Sequence, residues 1–239
     1  MPLFYGIDWT YLVLVLPCVI LAFIASARVR STFDRYSKQL SSRHITGAEA
    51  ARRVLDQNGV SGVQILRVSG NLTDHYDPKA NVIRLSEDVY DSTSTAAIGV
   101  ACHEAGHAVQ YAHSYFPIHL RAAVIPATNI GSMLAMPLIL IGLLFTSEYA
   151  TSSVFIYAGI ACFGLSTVFQ LITLPVEFNA SRRAMAAITD GSLLTKEEQV
   201  GARRTLTAAA MTYVAALAVS LAQLLRLVLI FGGRGRRRD

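Results

Sequence analysis

Four long stretches of this chain contain no Asp, Glu, Lys or Arg, and they constrain its fold more than any other feature. They cover residues 9–27, 122–147, 149–176 and 205–225, which is 19, 26, 28 and 21 residues. A helix needs about 20 predominantly apolar residues to cross the hydrocarbon core of a bilayer. Charged residues make up 15% of the 239-residue chain and hydrophobic residues 53%, against about 25% charge in an ordinary soluble domain. The depletion is concentrated in the four blocks, so the sequence predicts four transmembrane segments rather than the buried core helices of a soluble protein. The first segment follows Asp8 with no basic residue before it, and Arg28, Arg30, Arg35 and Lys38 come after it. Secretory signals begin with positive charge, so this segment reads as a retained anchor with its N-terminus outside.

The polar residues lie between these blocks. Residues 46–58 carry Ala48, Ala50, Ala51, Val54 and Leu55 at helical spacing, with Thr46 and Glu49 forming a capping box and Gly59 as the stop. Residues 63–68 and 81–85 read as short strands, and residues 70–79, with Asn71, Asp74, Asp77 and Pro78, as a loop. Ser92 or Thr93 is expected to cap a helix running through His113. Pro175 is expected to start a second polar stretch, residues 175–204, which Gly191 interrupts.

That layout predicts a mainly α, polytopic membrane protein with about four transmembrane helices and a small α+β polar domain. Its parts are an N-terminal anchor (1–28), a polar domain (29–121), a transmembrane hairpin (122–176), a polar helical segment (177–204) and a C-terminal transmembrane or re-entrant helix with a basic tail (205–239). The net charge of +5 comes largely from basic residues flanking apolar segments, which fits membrane topology rather than nucleic-acid binding. Cys18, Cys102 and Cys162 are widely spaced and imply neither a disulfide framework nor a CxxC metal site. Cys102 adjoins His103, but neighbouring helical residues diverge by about 100°, so it reads as a small core residue.

The chemistry is carried by His103-Glu104-Ala105-Gly106-His107, an H-E-x-x-H sequence in a helix-compatible setting. Residues four apart share a helix face, so both imidazoles can reach one zinc ion, with Glu104 beside them to take a proton from a zinc-bound water. A catalytic zinc has three protein ligands and an open position. Two residues compete for the third place. His113 has the spacing of the pattern H-E-x-x-H-x-x-G-x-x-H, but Gln110 stands where that pattern turns the chain with glycine, so a continuing helix carries His113 off the His107 face. Glu177 follows the third apolar segment, and a hairpin formed by the second and third segments returns it to the side of His103 and His107. This gives a two-His, one-Glu site of the thermolysin (gluzincin) type. The two predicted strands can offer an edge to an extended substrate. His75, Tyr76, Arg182 and Arg183 are candidate donors to a transition-state oxyanion, and His44, His113 and His119 read as structural.

The chain resembles the YugP-like family of bacterial membrane zinc metallopeptidases. The resemblance rests on Asp74-His75-Tyr76-Asp77-Pro78, on Val82-Ile83-Arg84-Leu85-Ser86, on the segment His103 to Gln110, and on Pro175-Val176-Glu177-Phe178-Asn179-Ala180-Ser181-Arg182-Arg183-Ala184. It covers nearly the whole chain. It implies a zinc endopeptidase with His103 and His107 as ligands, Glu104 as general base and Glu177 as third ligand. The CAAX-protease and HtpX-type membrane peptidases are also similar, but their third-ligand motif reads E-x-x-A-D and this chain has Ser181 at the last position.

The expected partners are a peptide or membrane-protein substrate and the lipid bilayer, with an oligomer or a regulatory membrane partner possible. Basic residues mark cytoplasmic loops. Those after the first segment, and Arg182, Arg183, Lys196, Arg203 and Arg204 between the third and fourth, place the site on the cytoplasmic face of the cell membrane. The tail Arg234, Arg236, Arg237 and Arg238 conflicts with a full fourth crossing, and Arg226 interrupts the last segment. A non-enzymatic, zinc-stabilised membrane scaffold would explain the ligands but leave Glu104 idle, and a transporter would need more ionisable groups inside the apolar segments.

Overall fold

The computed structural model describes residues 8–145 and 149–232. The basic tail and the loop around Glu148 lie outside the described residues. A π-helical turn (Tyr11–Val15) leads into α1 (Leu16–Tyr36). There follow α2 (Gly47–Gln57), β1 (Gln64–Val68), β2 (His75–Asp77), β3 (Val82–Ser86), α3 (Glu87–Tyr90), α4 (Thr95–Ala112), α5 (Phe116–Leu144), α6 (Tyr149–Asp190) and α7 (Gln199–Gly232). Among the described residues, four helices are long and apolar enough to cross a membrane: Tyr11–Tyr36, Phe116–Leu144, Thr151–Asp190 and Gln199–Gly232. Their apolar windows are only 11% to 28% buried inside the protein, so most of that surface is left for lipid.

The chain divides into two compact units. One comprises Met1–Ile24, Leu120–Thr173 and Tyr213–Asp239. Within it α5 and α6 pack through glycines. A Cβ on Gly159 would come within 2.7 Å of the Ala135 carbonyl, and one on Gly142 within 2.8 Å of the Ser152 carbonyl. Close backbone approach through small residues is how helices pack where lipid removes the hydrophobic driving force. The Thr167 and Ser220 hydroxyls, both buried, hydrogen-bond at 2.7 Å between α6 and α7. Arg226 does not break the last helix. Its guanidinium pairs with the Asp8 carboxylate and lies over the Tyr11 ring, 5.6 Å from the centroid.

The other unit, Ala25–His119 and Leu174–Thr212, holds the larger core. Val54, Leu55, Ile83, Leu85, Ile98 and Val109 are fully buried there. The capping box at α2 is present, with the Thr46 hydroxyl accepting from the Glu49 amide and the Glu49 carboxylate accepting from the Thr46 amide, and Gly59 follows at φ +66°. In the turn that leads into α7, Thr195 and Glu198 bond reciprocally in the same way. Glu198 also accepts from the Ser42 amide at 2.7 Å, fixing the turn after α1.

The sheet has order β1-β3-β2, with β1 parallel and β2 antiparallel to β3. The loop expected at residues 70–79 contains the three-residue strand β2. Asp77 accepts from the Lys79 and Ala80 amides and from the Arg84 guanidinium at 2.8 Å, which closes the tight turn between β2 and β3. The same guanidinium holds the Asp77 carboxyl down at about 2. Asp74 accepts from the Ser86 amide and hydroxyl, pinning the start of the hairpin to its end. β2 is an edge strand.

Two other expectations shift. The helix carrying the histidines is capped by Ser94, whose hydroxyl accepts from the Ala97 amide, and not by Ser92 or Thr93. It ends at Ala112, with His113 as its C-cap. The polar stretch that begins at Pro175 is not a separate helix, because α6 runs unbroken from Tyr149 to Asp190. Proline removes one helical N–H and crowds the carbonyl four residues earlier, a defect that long apolar helices with packed neighbours absorb. Gly191 then follows the last helical residue.

Candidate metal centre

α4 presents His103, Glu104 and His107, and α6 presents Glu177. The two imidazoles meet edge to face, with ring centroids 4.7 Å apart. The Glu177 carboxylate oxygen Oε2 lies 3.2 Å from His103 Nε2 and 3.6 Å from His107 Nε2. One ligand atom from each of the three residues falls within a sphere of contacts no wider than 4.8 Å. Ligand bonds of about 2.0–2.2 Å at tetrahedral angles separate neighbouring donors by roughly 3.3 Å, so the observed spacings fit zinc. The donor set, two imidazoles and one carboxylate, suits it as well. The Glu177 and His107 side chains are 5% and 9% exposed and that of His103 15%, leaving the approach to the site on the His103 side.

Gly106, between the two histidines, makes this convergence possible. A Cβ there would stand 2.9 Å from the Ala180 carbonyl oxygen and 3.4 Å from its carbon. The backbones of α4 and α6 therefore touch one turn after Glu177, which brings that carboxylate up to the histidines.

Beyond the donor atoms lies a set of hydrogen bonds. His107 Nδ1 is 3.0 Å from Gln110 Oε1. Gln110 Nε2 donates to the Val176 carbonyl at 2.8 Å and to Asn179 Oδ1 at 3.0 Å. Arg183 Nε donates to the same Asn179 oxygen at 2.9 Å. His103 Nδ1 lies 3.2 Å from the Ser181 hydroxyl. The sequence reading weighed Gln110 only as a missing glycine and overlooked its amide. A signal was there: one polar, uncharged residue a helical turn after a candidate ligand, on the helix face that carries His103 and His107.

Glu104 is buried, and burial pushes its carboxyl up to about 7. The His103 imidazole and the Tyr76 backbone N–H draw it down, while Glu177 and Asp74 add to the rise. A carboxyl held near neutrality is suited to exchanging protons at physiological pH. Cys102 is fully buried, which drives its thiol far above the usual range and keeps it protonated.

The remaining candidates fall elsewhere. His113 Nε2 bonds the Asn58 carbonyl at 3.2 Å, and His119 packs edge-on to Tyr111. His75 is exposed, its Nδ1 2.7 Å from the Thr73 carbonyl. The Tyr76 hydroxyl donates to Asn81, Arg183 is engaged with Asn179, and Arg182 is exposed.

The described residues thus hold four apolar helices of membrane-crossing length and an H-E-x-x-H helix whose histidines meet a glutamate. The chain belongs to the family described as "putative neutral zinc metallopeptidase", whose model matches residues 11–232. It is 48% identical over 211 residues to the "putative membrane protease YugP" of Bacillus subtilis (strain 168), covering 88% of this chain and 92% of that protein. No solved structure matches.

Proposed function

We propose that this chain is a multi-pass membrane endopeptidase that hydrolyses peptide bonds of membrane-associated proteins at the cytoplasmic face. The observation that carries the reading is the meeting of His103, His107 and Glu177 in one ligand-sized cluster, with Glu104 buried beside it on the same helix. His103 and His107 would hold zinc through Nε2 and Glu177 through its carboxylate. When bound, the ion supplies a Lewis acid that acidifies water and polarises a carbonyl.

The residues of the chain do the rest. Glu104 accepts the proton of the attacking water and returns it to the departing amine. The low exposure of the site keeps competing water away from these charges, which strengthens their interactions. β2 runs beside the reacting groups, with the Tyr76 backbone N–H turned away from β3 and hydrogen-bonded to the Glu104 carboxylate, and an extended peptide added as a further strand would take over that donor. Such a strand would lie across the reacting groups. Segments 29–121 and 177–204 form the peptidase part and the remainder anchors it. The cytoplasmic orientation rests on the basic residues around 28–38 and 182–204.

The reading is tested by incubating detergent-purified protein with an unfolded casein-type substrate, with chelator, and with zinc restored after chelation. Cleavage should stop on chelation and return with zinc. Cleavage that persists at full rate without metal contradicts the proposal.

A further inference from the structure

We infer that Gln110 is the positioning residue of the metal centre: its side-chain amide forces His107 into the tautomer with a free Nε2 and ties that ring to the helix carrying Glu177. The inference rests on the ligand assignment proposed above and extends it to a residue outside the donor set.

The hydrogen-bond directions follow from groups that have no choice. The Val176 backbone carbonyl can only accept, so the atom of Gln110 that it meets at 2.8 Å is the amide nitrogen. Arg183 Nε can only donate, so the Asn179 atom that it meets at 2.9 Å is the oxygen. That oxygen takes the second N–H of Gln110 at 3.0 Å. Both donors of the Gln110 amide are then committed on α6, and its oxygen faces His107 Nδ1 at 3.0 Å. An oxygen there requires a proton on Nδ1. The lone pair is left on Nε2, the atom 3.6 Å from Glu177 Oε2.

His103 has no equivalent. Its Nδ1 meets the Ser181 hydroxyl, which can donate or accept and so imposes neither tautomer. Of the two histidines, His107 is the one pre-set for metal, and Gln110 pre-sets it. The amide is fully buried, so water cannot replace any of these bonds. Because it bridges α4 to Val176 and Asn179, which flank Glu177 in α6, it fixes the His107 ring against the backbone that delivers the third donor. Partners of this kind typically change metal affinity by 10- to 100-fold when removed.

The test compares Gln110→Met, which keeps the length and removes every bond, with Gln110→Glu, which keeps an acceptor for His107 Nδ1 and loses the donors to α6. Zinc affinity is measured by chelator competition on full-length protein in detergent, with the absorption spectrum of the cobalt-substituted protein as a direct report on ligand geometry. Gln110→Met should weaken zinc about 10- to 100-fold and alter the cobalt spectrum, and Gln110→Glu should recover part of the affinity. If Gln110→Met fails to fold, Asn179→Ala serves instead. It removes one acceptor of the amide and should weaken zinc by a smaller factor with a smaller spectral change. A Gln110→Met protein, or in its place Asn179→Ala, that melts earlier without metal yet keeps wild-type zinc affinity and cobalt spectrum would make Gln110 a structural tie alone, overturning the inference. His107→Ala is measured in parallel. If it too retains zinc, the ligand assignment has failed; if it loses zinc while the Gln110 variants do not, only the positioning role has failed.

Discussion

Replacing Gly106 by alanine tests how the third donor is brought to the histidines. The added Cβ would stand 2.9 Å from the Ala180 carbonyl oxygen, where ordinary contact begins at 3.4 Å, so the two helices must separate by about 0.5 Å. The obstructing atom is backbone, and no rotamer change can clear it. Glu177 lies one turn before Ala180 on the same helix and moves with it. Zinc sites tolerate about ±0.2 Å in ligand distance, so a shift of that size cannot be absorbed at the metal without strain. Overpacking of a tight contact costs about 1–3 kcal/mol, which in binding terms is about 5- to 150-fold. Gly106→Ala should therefore weaken zinc by a factor in that range and lower the thermal midpoint of the zinc-loaded protein. Gly164→Ala is the control, because a Cβ there meets nothing within 4 Å, and alanine is intrinsically the better helix former by about 0.5–1 kcal/mol. It should be neutral or slightly stabilising. Chelator competition and thermal unfolding in detergent read both effects. Wild-type zinc affinity and melting in Gly106→Ala would show that helix contact at this glycine does not position the site.

Three further outcomes are expected. His103→Ala or His107→Ala should each lose most of the zinc found by metal analysis of purified protein, since each removes a proposed donor; full occupancy in both would end the assignment. Glu177→Ala should melt like the chelated wild type, because metal binding energy is folding energy, whereas His113→Ala, whose ring bonds the Asn58 carbonyl, should still respond to chelator as wild type does; the reverse pattern would make His113 the third ligand. Asp8→Arg should destabilise the protein by leaving like charges at Arg226, and the exchanged pair Asp8→Arg with Arg226→Asp should recover stability if the pairing seen between them contributes; no recovery in thermal unfolding would assign it no weight.

The apolar blocks were legible because a bilayer-length helix needs little besides about 20 uncharged residues, and each block became a long helix. The start of α2 was legible for the opposite reason: Thr46 and Glu49 satisfy each other's orphan amides within one turn, so no distant residue is needed. Strand β2 was not legible, since three residues show no alternation and it exists through Asp77, Arg84 and its pairing to β3. The continuity of the helix through Pro175 was not legible, since α6 carries the proline within a 42-residue helix and that depends on packed neighbours rather than on local sequence. At the site, H-E-x-x-H is a local pattern and could be read directly. The roles of Gly106 and Gln110 depend on the Ala180 and Val176 carbonyls, about 70 residues away, and appear only once α4 and α6 are side by side.

In the proposed chemistry Glu104 acts as a base beside a zinc that it does not bind. The most direct measurement is a paired determination of zinc content and peptide-bond hydrolysis in wild type and Glu104→Gln. The substitution keeps the side chain's size and removes its ability to take a proton. Equal zinc is expected in the two proteins, with a fall in turnover of roughly 10²–10⁴-fold in the variant. Turnover at the wild-type rate in zinc-loaded Glu104→Gln would contradict that role.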